Sequence, residues 1–214
     1  ATRTVPRVEP GYLDRLQLDL SVSTEDDIFI DNNYGRFEAG ANVRLQGTGA
    51  RPAVTGQWVF IALSFAVLSW AFYKNDFSVL YVASNSNSAL PTFYRFTAVW
   101  GAHEGSLLLW ALALSTWSVA VGVWSRDLPE TYAARVLGVL GVVSIGFPLF
   151  ILLTSSPFER LVPAATDGRD LNPLLQDFGL AVHPPILYIG WLGFSIPFAF
   201  AVAALLEGRL DVAW

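Results

Sequence analysis

Four stretches of 17 to 21 residues, at 57–73, 105–124, 136–153 and 186–206, contain no Asp, Glu, Lys or Arg. About 17–25 predominantly apolar residues suffice for a helix to cross the hydrocarbon core of a bilayer, and each stretch meets that length. With no water in the core to satisfy backbone polar groups, a spanning segment of this kind is helical. The sequence therefore predicts an all-α transmembrane bundle of about four spans. Gly146 and Pro148 fall in the third stretch and Pro197 in the fourth. Lipid tolerates such residues when neighbouring helices meet the freed carbonyls. Trp58, Trp70, Tyr73, Trp100, Trp110, Trp124, Tyr188 and Trp191 lie near span ends, where an interfacial aromatic belt belongs.

The connectors are unequal. Residues 74–104 and 154–185 run 31 and 32 residues, whereas 125–135 has only 11. Long connectors on one side and short ones on the other put the functional surface on the long-connector side. Charge does not assign that side to a compartment, because each connector carries two basic residues.

The first 56 residues are different in kind. They hold 14 of the 31 charged residues and no window able to span a bilayer. Leu16, Leu18, Leu20 and Val22 alternate with Gln17, Asp19 and Ser21. After the turn-like Asp31-Asn32-Asn33-Tyr34-Gly35, Phe37, Ala39, Ala41, Val43 and Leu45 alternate with Glu38, Gly40, Asn42, Arg44 and Gln46. A period of two with Gly and Asn punctuation predicts half-buried antiparallel strands, broken at Gly47 to Pro52. The expected fold is thus the helical bundle with a short antiparallel β-rich N-terminal segment, divided at 1–56 and 57–214. Starting at Ala1 and stopping at Trp214 soon after an apolar run, the chain is expected to be a fragment.

Composition removes several function classes. Without Cys there is no thiolate zinc site, Fe–S cluster or Cys nucleophile. A net charge of −5 argues against nucleic acid as a partner. Spans free of charge argue against an ion-coupled transporter. Walker A, G-x-G-x-x-G, H-E-x-x-H and G-x-S-x-G patterns are missing. Asn85, Ser86, Asn87 and Ser88 read as a solvated loop.

Two histidines remain, both on the long-connector side. Trp100-Gly101-Ala102-His103-Glu104-Gly105-Ser106 stands at the mouth of the second span. A charged side chain at the bilayer centre costs ~2.5–3.5 kcal/mol on insertion scales, so His103 and Glu104 belong at the interface. They form either a polar lip marking a helix start or a polar cluster facing a cavity. The second histidine ends the run from Asn172 to Pro185. Asn172 can cap a helix whose first residue is Pro173, and Leu174, Leu175, Phe178 and Leu180 make it amphipathic beside Gln176 and Asp177. Pro184-Pro185 is expected to stop it, because the residue before a proline is pushed from the α region. His183 is then presented at a rigid corner, either as an interfacial cap or as a ligand for a metal or haem iron.

Three stretches together resemble the CcmF-type membrane haem lyases of bacterial cytochrome c maturation. They are 76–91 (Asp-Phe-Ser-Val-Leu-Tyr-Val-Ala-Ser-Asn-Ser-Asn-Ser-Ala-Leu-Pro), 99–110 (Val-Trp-Gly-Ala-His-Glu-Gly-Ser-Leu-Leu-Leu-Trp) and 171–185 (Leu-Asn-Pro-Leu-Leu-Gln-Asp-Phe-Gly-Leu-Ala-Val-His-Pro-Pro). The resemblance runs from about Gly56 to Trp214. It implies that 57–214 is the N-terminal part of a polytopic haem-handling domain in the bacterial inner membrane, with its functional loops in the periplasm. It implies haem b as the transferred group, received from a haem chaperone and attached to the Cys-x-x-Cys-His motif of apocytochrome c alongside other maturation membrane subunits. Within that family the His before Pro-Pro is one of two periplasmic axial ligands, which assigns His183 to haem iron; the resemblance carries over no axial role for His103, and His103 and Glu104 stay secondary candidates for haem binding. The second ligand and a Trp-rich haem platform lie farther along the family sequence, so this stretch alone is expected to bind haem weakly or not at all.

Residues 27–56 instead resemble the C-terminal β-rich domain of the large inner-membrane-anchored subunit of the translocation and assembly module. This implies that 1–56 is of different origin, joined to the membrane part by a composite reading frame. It leaves a second expectation open: a non-enzymatic envelope scaffold in contact with membrane lipids, its strands extending a lipid-conducting β-groove.

Overall fold

The computed structural model describes residues 19–20, 28–32, 35–39, 43–44 and 47–208, with side chains from residue 50 onward. Expectations placed on 1–18, 21–27, 33–34, 40–42 and 45–46 lie outside the described residues. Ahead of the helices, β1 (Asp19–Leu20) pairs antiparallel with β4 (Val43–Arg44), and β2 (Ile28–Asn32) with β3 (Gly35–Ala39). The two ladders share no strand. A two-stranded pair is marginal by itself, and these pieces do not support the β-rich N-terminal segment expected from the alternation.

The backbone turns helical at Gly47, ahead of the expected start at Gln57. Helix α1 runs Gly47–Lys74 and crosses position 56 without interruption. Pro52 sits inside it, so the expected break at Gly47 to Pro52 does not occur. Proline deprives only the carbonyl four residues back, here Thr48, which lies in the first turn. Then come α2 (Leu80–Asn85), α3 (Thr92–Thr97), α4 (His103–Trp124) and α5 (Glu130–Thr154). A 3-10 turn at Pro173–Gln176 leads into α6 (Phe178–Gly193) and α7 (Ser195–Glu207). Four helical segments are long and apolar enough to cross a membrane: Ala50–Lys74, His103–Asp127, Glu130–Thr154 and Phe178–Glu207. They contain the four stretches expected from the sequence.

The fourth segment is two consecutive helices. Pro197 cannot donate to the carbonyl of Gly193, and the chain tightens there, with the Phe194 amide bonded to the Trp191 carbonyl at 3.2 Å.

Helix α4 is the hub, packed on α1, α5, α6 and α7. Its buried positions are mostly small: Gly105, Ala111, Ala113, Ser115, Ser118 and Gly122. Helix α7 buries Ala199, Ala203 and Ala204 against Val136, Leu137 and Leu140 of α5. Lipid tails are as apolar as leucine, so spans associate through close packing and interhelical hydrogen bonds, and small residues permit the approach. Polar pairs add to it. Gln57 Nε2 donates to Ser144 Oγ at 2.9 Å between α1 and α5, and Trp58 Nε1 to Thr116 Oγ1 at 3.0 Å between α1 and α4. Tyr132 donates to the Phe200 carbonyl at 3.0 Å, and Arg135 pairs with Glu207 at 3.2 Å, both between α5 and α7. Outward faces carry Phe60, Leu152 and Leu153, each more than 70% exposed, as lipid contact requires.

Ala203 tests the packing argument, being fully buried one turn from Ala199. Ala203→Leu in the full-length protein is expected to overpack the α5–α7 contact and lower stability by about 1–3 kcal/mol. Thermal unfolding in detergent measures this, and an unchanged midpoint removes the close-packing account of α7.

Candidate functional site

The two long connectors meet at one end of the bundle and are laced backbone to backbone. The Leu80 amide donates to the Glu159 carbonyl at 2.8 Å, and the Leu161 amide to the Ser78 carbonyl at 2.8 Å, framing an antiparallel bridge between Val79 and Arg160. The Arg169 amide reaches the Ala83 carbonyl at 2.7 Å. Side chains repeat the stitch. Arg160 donates to Asp76 Oδ2 at 3.2 Å, Ser88 bonds both carboxylate oxygens of Asp167, and Asn87 bonds Asp170. Ser86 is fully buried. The tract 85–88 is therefore a clamp and not the solvated loop its composition suggested. Asn, Ser and Asp serve connectors either way, and only the distant partner distinguishes the roles. Gly168 is required by the fit, because a Cβ there meets the Ser86 carbonyl oxygen at 1.8 Å.

Electrostatics follows the stitching. Hydrogen bonds from Ser78, with the Arg160 guanidinium behind them, hold the Asp76 carboxyl below its ordinary range. Ser88 does the same for the exposed Asp167. Burial pushes the Tyr81 hydroxyl well above the usual phenol range, so it stays protonated.

That hydroxyl organises the mouth of α4. It lies 3.1 Å from the Val99 carbonyl and 3.2 Å from that of Ala102, and it accepts from the Ala102 amide at 3.2 Å. Helix α4 opens at His103, with Ser106 Oγ donating back to the Trp100 carbonyl at 2.8 Å. A Cβ on Gly105 comes 1.7 Å from the Val99 carbonyl oxygen and 2.6 Å from the Tyr81 hydroxyl, so this glycine is the seat of the turn. His103 is exposed, with its ring edge-on to Phe150 of α5 at 6.0 Å, and Glu104 is half-buried beside it.

Around His183 the structure departs from expectation. Asn172 does cap a turn, accepting from the Leu174 amide at 3.1 Å, but that turn is a 3-10 segment ending at Gln176. Asp177 then caps a new helix, accepting from the Leu180 amide at 3.1 Å. Helix α6 continues through His183, Pro184 and Pro185 to Gly193, so the expected corner at His183 does not exist. Pro184 and Pro185 leave the carbonyls of Leu180 and Ala181 without their helical donors. The Trp100 indole supplies one, donating to Ala181 at 2.9 Å, and the Trp117 indole donates to Ile189 at 3.0 Å farther along. Phe93 of α3 stacks on Phe178 at 5.7 Å and steadies the start of the helix.

The wheel of α6 places His183. Buried Ala181 and Leu192, together with Tyr188 against Trp110 at 5.1 Å, define the face on α4. At 3.6 residues per turn, His183 stands roughly 200° from Ala181, on the opposite face. It is exposed and, among the described residues, its imidazole has no partner. His103 faces α5 instead, so the structure does not bring the two histidines together. Among the described residues no three His, Cys, Asp or Glu side chains group as a metal site. Sequence reasoning missed Trp100 and Tyr81 as the residues that hold the site. A proline pair inside an apolar run was the available signal, since it requires a donor from elsewhere.

Comparison with known proteins gives a consistent result. A family model described as cytochrome C assembly protein matches residues 100–211. The cytochrome c-type biogenesis protein CcmF of Pseudomonas aeruginosa is 64% identical over 166 residues, covering 77% of this chain and 25% of that protein. CcmF of Escherichia coli is 60% identical over 152 residues, covering 71% and 24%. The biogenesis protein NrfE of Haemophilus influenzae is 48% identical over 147 residues, covering 69% and 23%. A solved structure of the cytochrome c haem lyase CcmF aligns with a TM-score of 0.66 and 31% identity over 78% of this chain and 26% of that one. The chain spans about a quarter of the length of the curated relatives it matches.

Two outcomes are expected. Trp100→Phe in the full-length protein keeps the ring but leaves the Ala181 carbonyl unmet, lowering stability by about 1–3 kcal/mol in thermal unfolding. Because the Asp76 pKa is lowered on folding, its contribution is complete above the ordinary value of 3.8 and is lost as pH falls below that through the folded value. Amide-exchange protection at Leu161, corrected for intrinsic rate, should therefore hold at neutral pH and fall at pH below 3.8. Protection unchanged in acid removes the carboxylate from the clamp.

Proposed function

The chain belongs to the cytochrome c assembly protein family, and on that premise we propose that it forms part of a membrane haem lyase acting in cytochrome c maturation. Haem b is the substrate, delivered by a haem chaperone and joined to apocytochrome c, with other maturation membrane subunits in attendance. Residues 57–214 are the N-terminal part of a larger polytopic domain in the bacterial inner membrane, and the end bearing the long connectors faces the periplasm.

The observation that carries this reading is the setting of His183. The imidazole stands exposed on the face of α6 turned away from α4, without a partner among the described residues. Its helix is fixed on the N-terminal side of His183 by the Asp177 cap and the Trp100 bond. An imidazole so held suits axial ligation of haem iron. Thioether formation adds a cysteine S–H across a haem vinyl group, making one C–S and one C–H bond with no net oxidation. What the protein supplies is orientation, and a ligand on a rigid helix contributes to it. His103 and Glu104 border the same end on a different face, where they give the rim its polarity while His183 takes the iron.

Replacing His183 by Ala in the full-length protein should abolish holocytochrome c formation while the protein still accumulates in the membrane at normal level. Haem staining of the acceptor beside an immunoblot of the lyase measures both. A normal holocytochrome yield overturns the assignment.

A further inference from the structure

At the other end of the bundle, a cavity of about 280 Å³ opens between α1 and α4. Its polar lining is Arg51, Thr55 and Arg126, and its apolar lining includes Val54, Val119 and Val123. Arg51 lies in the first turn of the span Ala50–Lys74 and Arg126 in the last turn of His103–Asp127, so both guanidiniums stand at the membrane boundary. The stem of Arg51 lies against α4, where a Cβ on Gly122 would stand 3.8 Å from Arg51 Cγ, an ordinary contact. Arg51 Nη2 donates to the Ser125 carbonyl at 3.4 Å, which holds the group at the cavity, and its other N–H donors have no partner among the described residues. Among the described residues neither arginine forms an ion pair, whereas Arg135 and Arg160 both do. Trp124, 78% exposed at the same end of α4, marks headgroup depth.

We propose that this cavity is a binding site for an anionic phospholipid. The phosphate lies between the guanidiniums of Arg51 and Arg126, and an acyl chain runs along Val119 and Val123. Guanidinium is the side chain that matches phosphate oxygens with paired donors. Two unpaired positive charges select a lipid of net negative charge over a zwitterionic one. The site is independent of the haem reading, since it lies at the short-connector end and involves neither histidine.

The test uses the full-length protein reconstituted in nanodiscs containing equal phosphatidylglycerol and phosphatidylcholine. Lipid retained on extraction into detergent is counted by native mass spectrometry. Phosphatidylglycerol should be retained about tenfold over phosphatidylcholine, a ratio two interfacial arginines can supply. The double variant Arg51→Gln/Arg126→Gln should bring the ratio near one, while Arg51→Lys/Arg126→Lys keeps most of it. Inorganic phosphate added during extraction should not displace the lipid, because the acyl chain contributes to binding; full displacement points to a free-anion site and overturns the proposal. Equal retention of the two lipids by the unaltered protein overturns it as well, whether or not the glutamine variant folds. Holocytochrome formation by His183 variants is read separately, so failure of either reading leaves the other standing.

Discussion

A carbonyl inside a bilayer must find a donor, and in this bundle the prolines decide which carbonyls lack one. Pro148, Pro184, Pro185 and Pro197 all stand within spans. The most consequential vacancy is at Ala181, because its donor comes from another element, the Trp100 indole. That bond ties a 3-10 turn at Ala98–Trp100, ahead of α4, to the first turns of α6. Helix α6 continues through the Pro-Pro pair, and the bond fixes which face of it turns outward. The outward position of His183 follows from where Ala181 is held.

The membrane part of the fold is written plainly in the sequence. Charge-free runs of sufficient length name four spans because the bilayer enforces length and polarity directly. The ends were less legible. Helix α1 starts at Gly47 because two glycines and a proline are poor helix formers only in isolation, and a helix already committed to the membrane carries them. The mouth of α4 was readable, since a charged Glu104 and an adjacent His103 have few places to go.

His183 shows the limit of local rules. The residue before a proline ordinarily avoids the α region, yet α6 runs through His183, and the Ala181 carbonyl that Pro185 leaves open is met by an indole 81 residues away. The sequence names Trp100 and the prolines but not their contact. The tract 85–88 failed for the same reason, because Asn87 and Ser88 meet Asp170 and Asp167 across the second long connector. The alternation before Gly47 was the weakest guide. A period of two describes a strand's faces without supplying the neighbouring strands that would make a sheet.

The hub position of α4 bears on the order in which the bundle is made. Chain order delivers α1, then α4, then α5, then α6 and α7. Each later span therefore arrives beside a partner already in the bilayer, and no span after α1 has to wait for the one that completes its principal contact. The rule holds most tightly for α6. It enters with two carbonyls that its own backbone cannot satisfy, and the indole that answers one of them has already been synthesised and set at the mouth of α4. Assembly from the amino-terminal side thus never leaves Ala181 in lipid without a donor within reach.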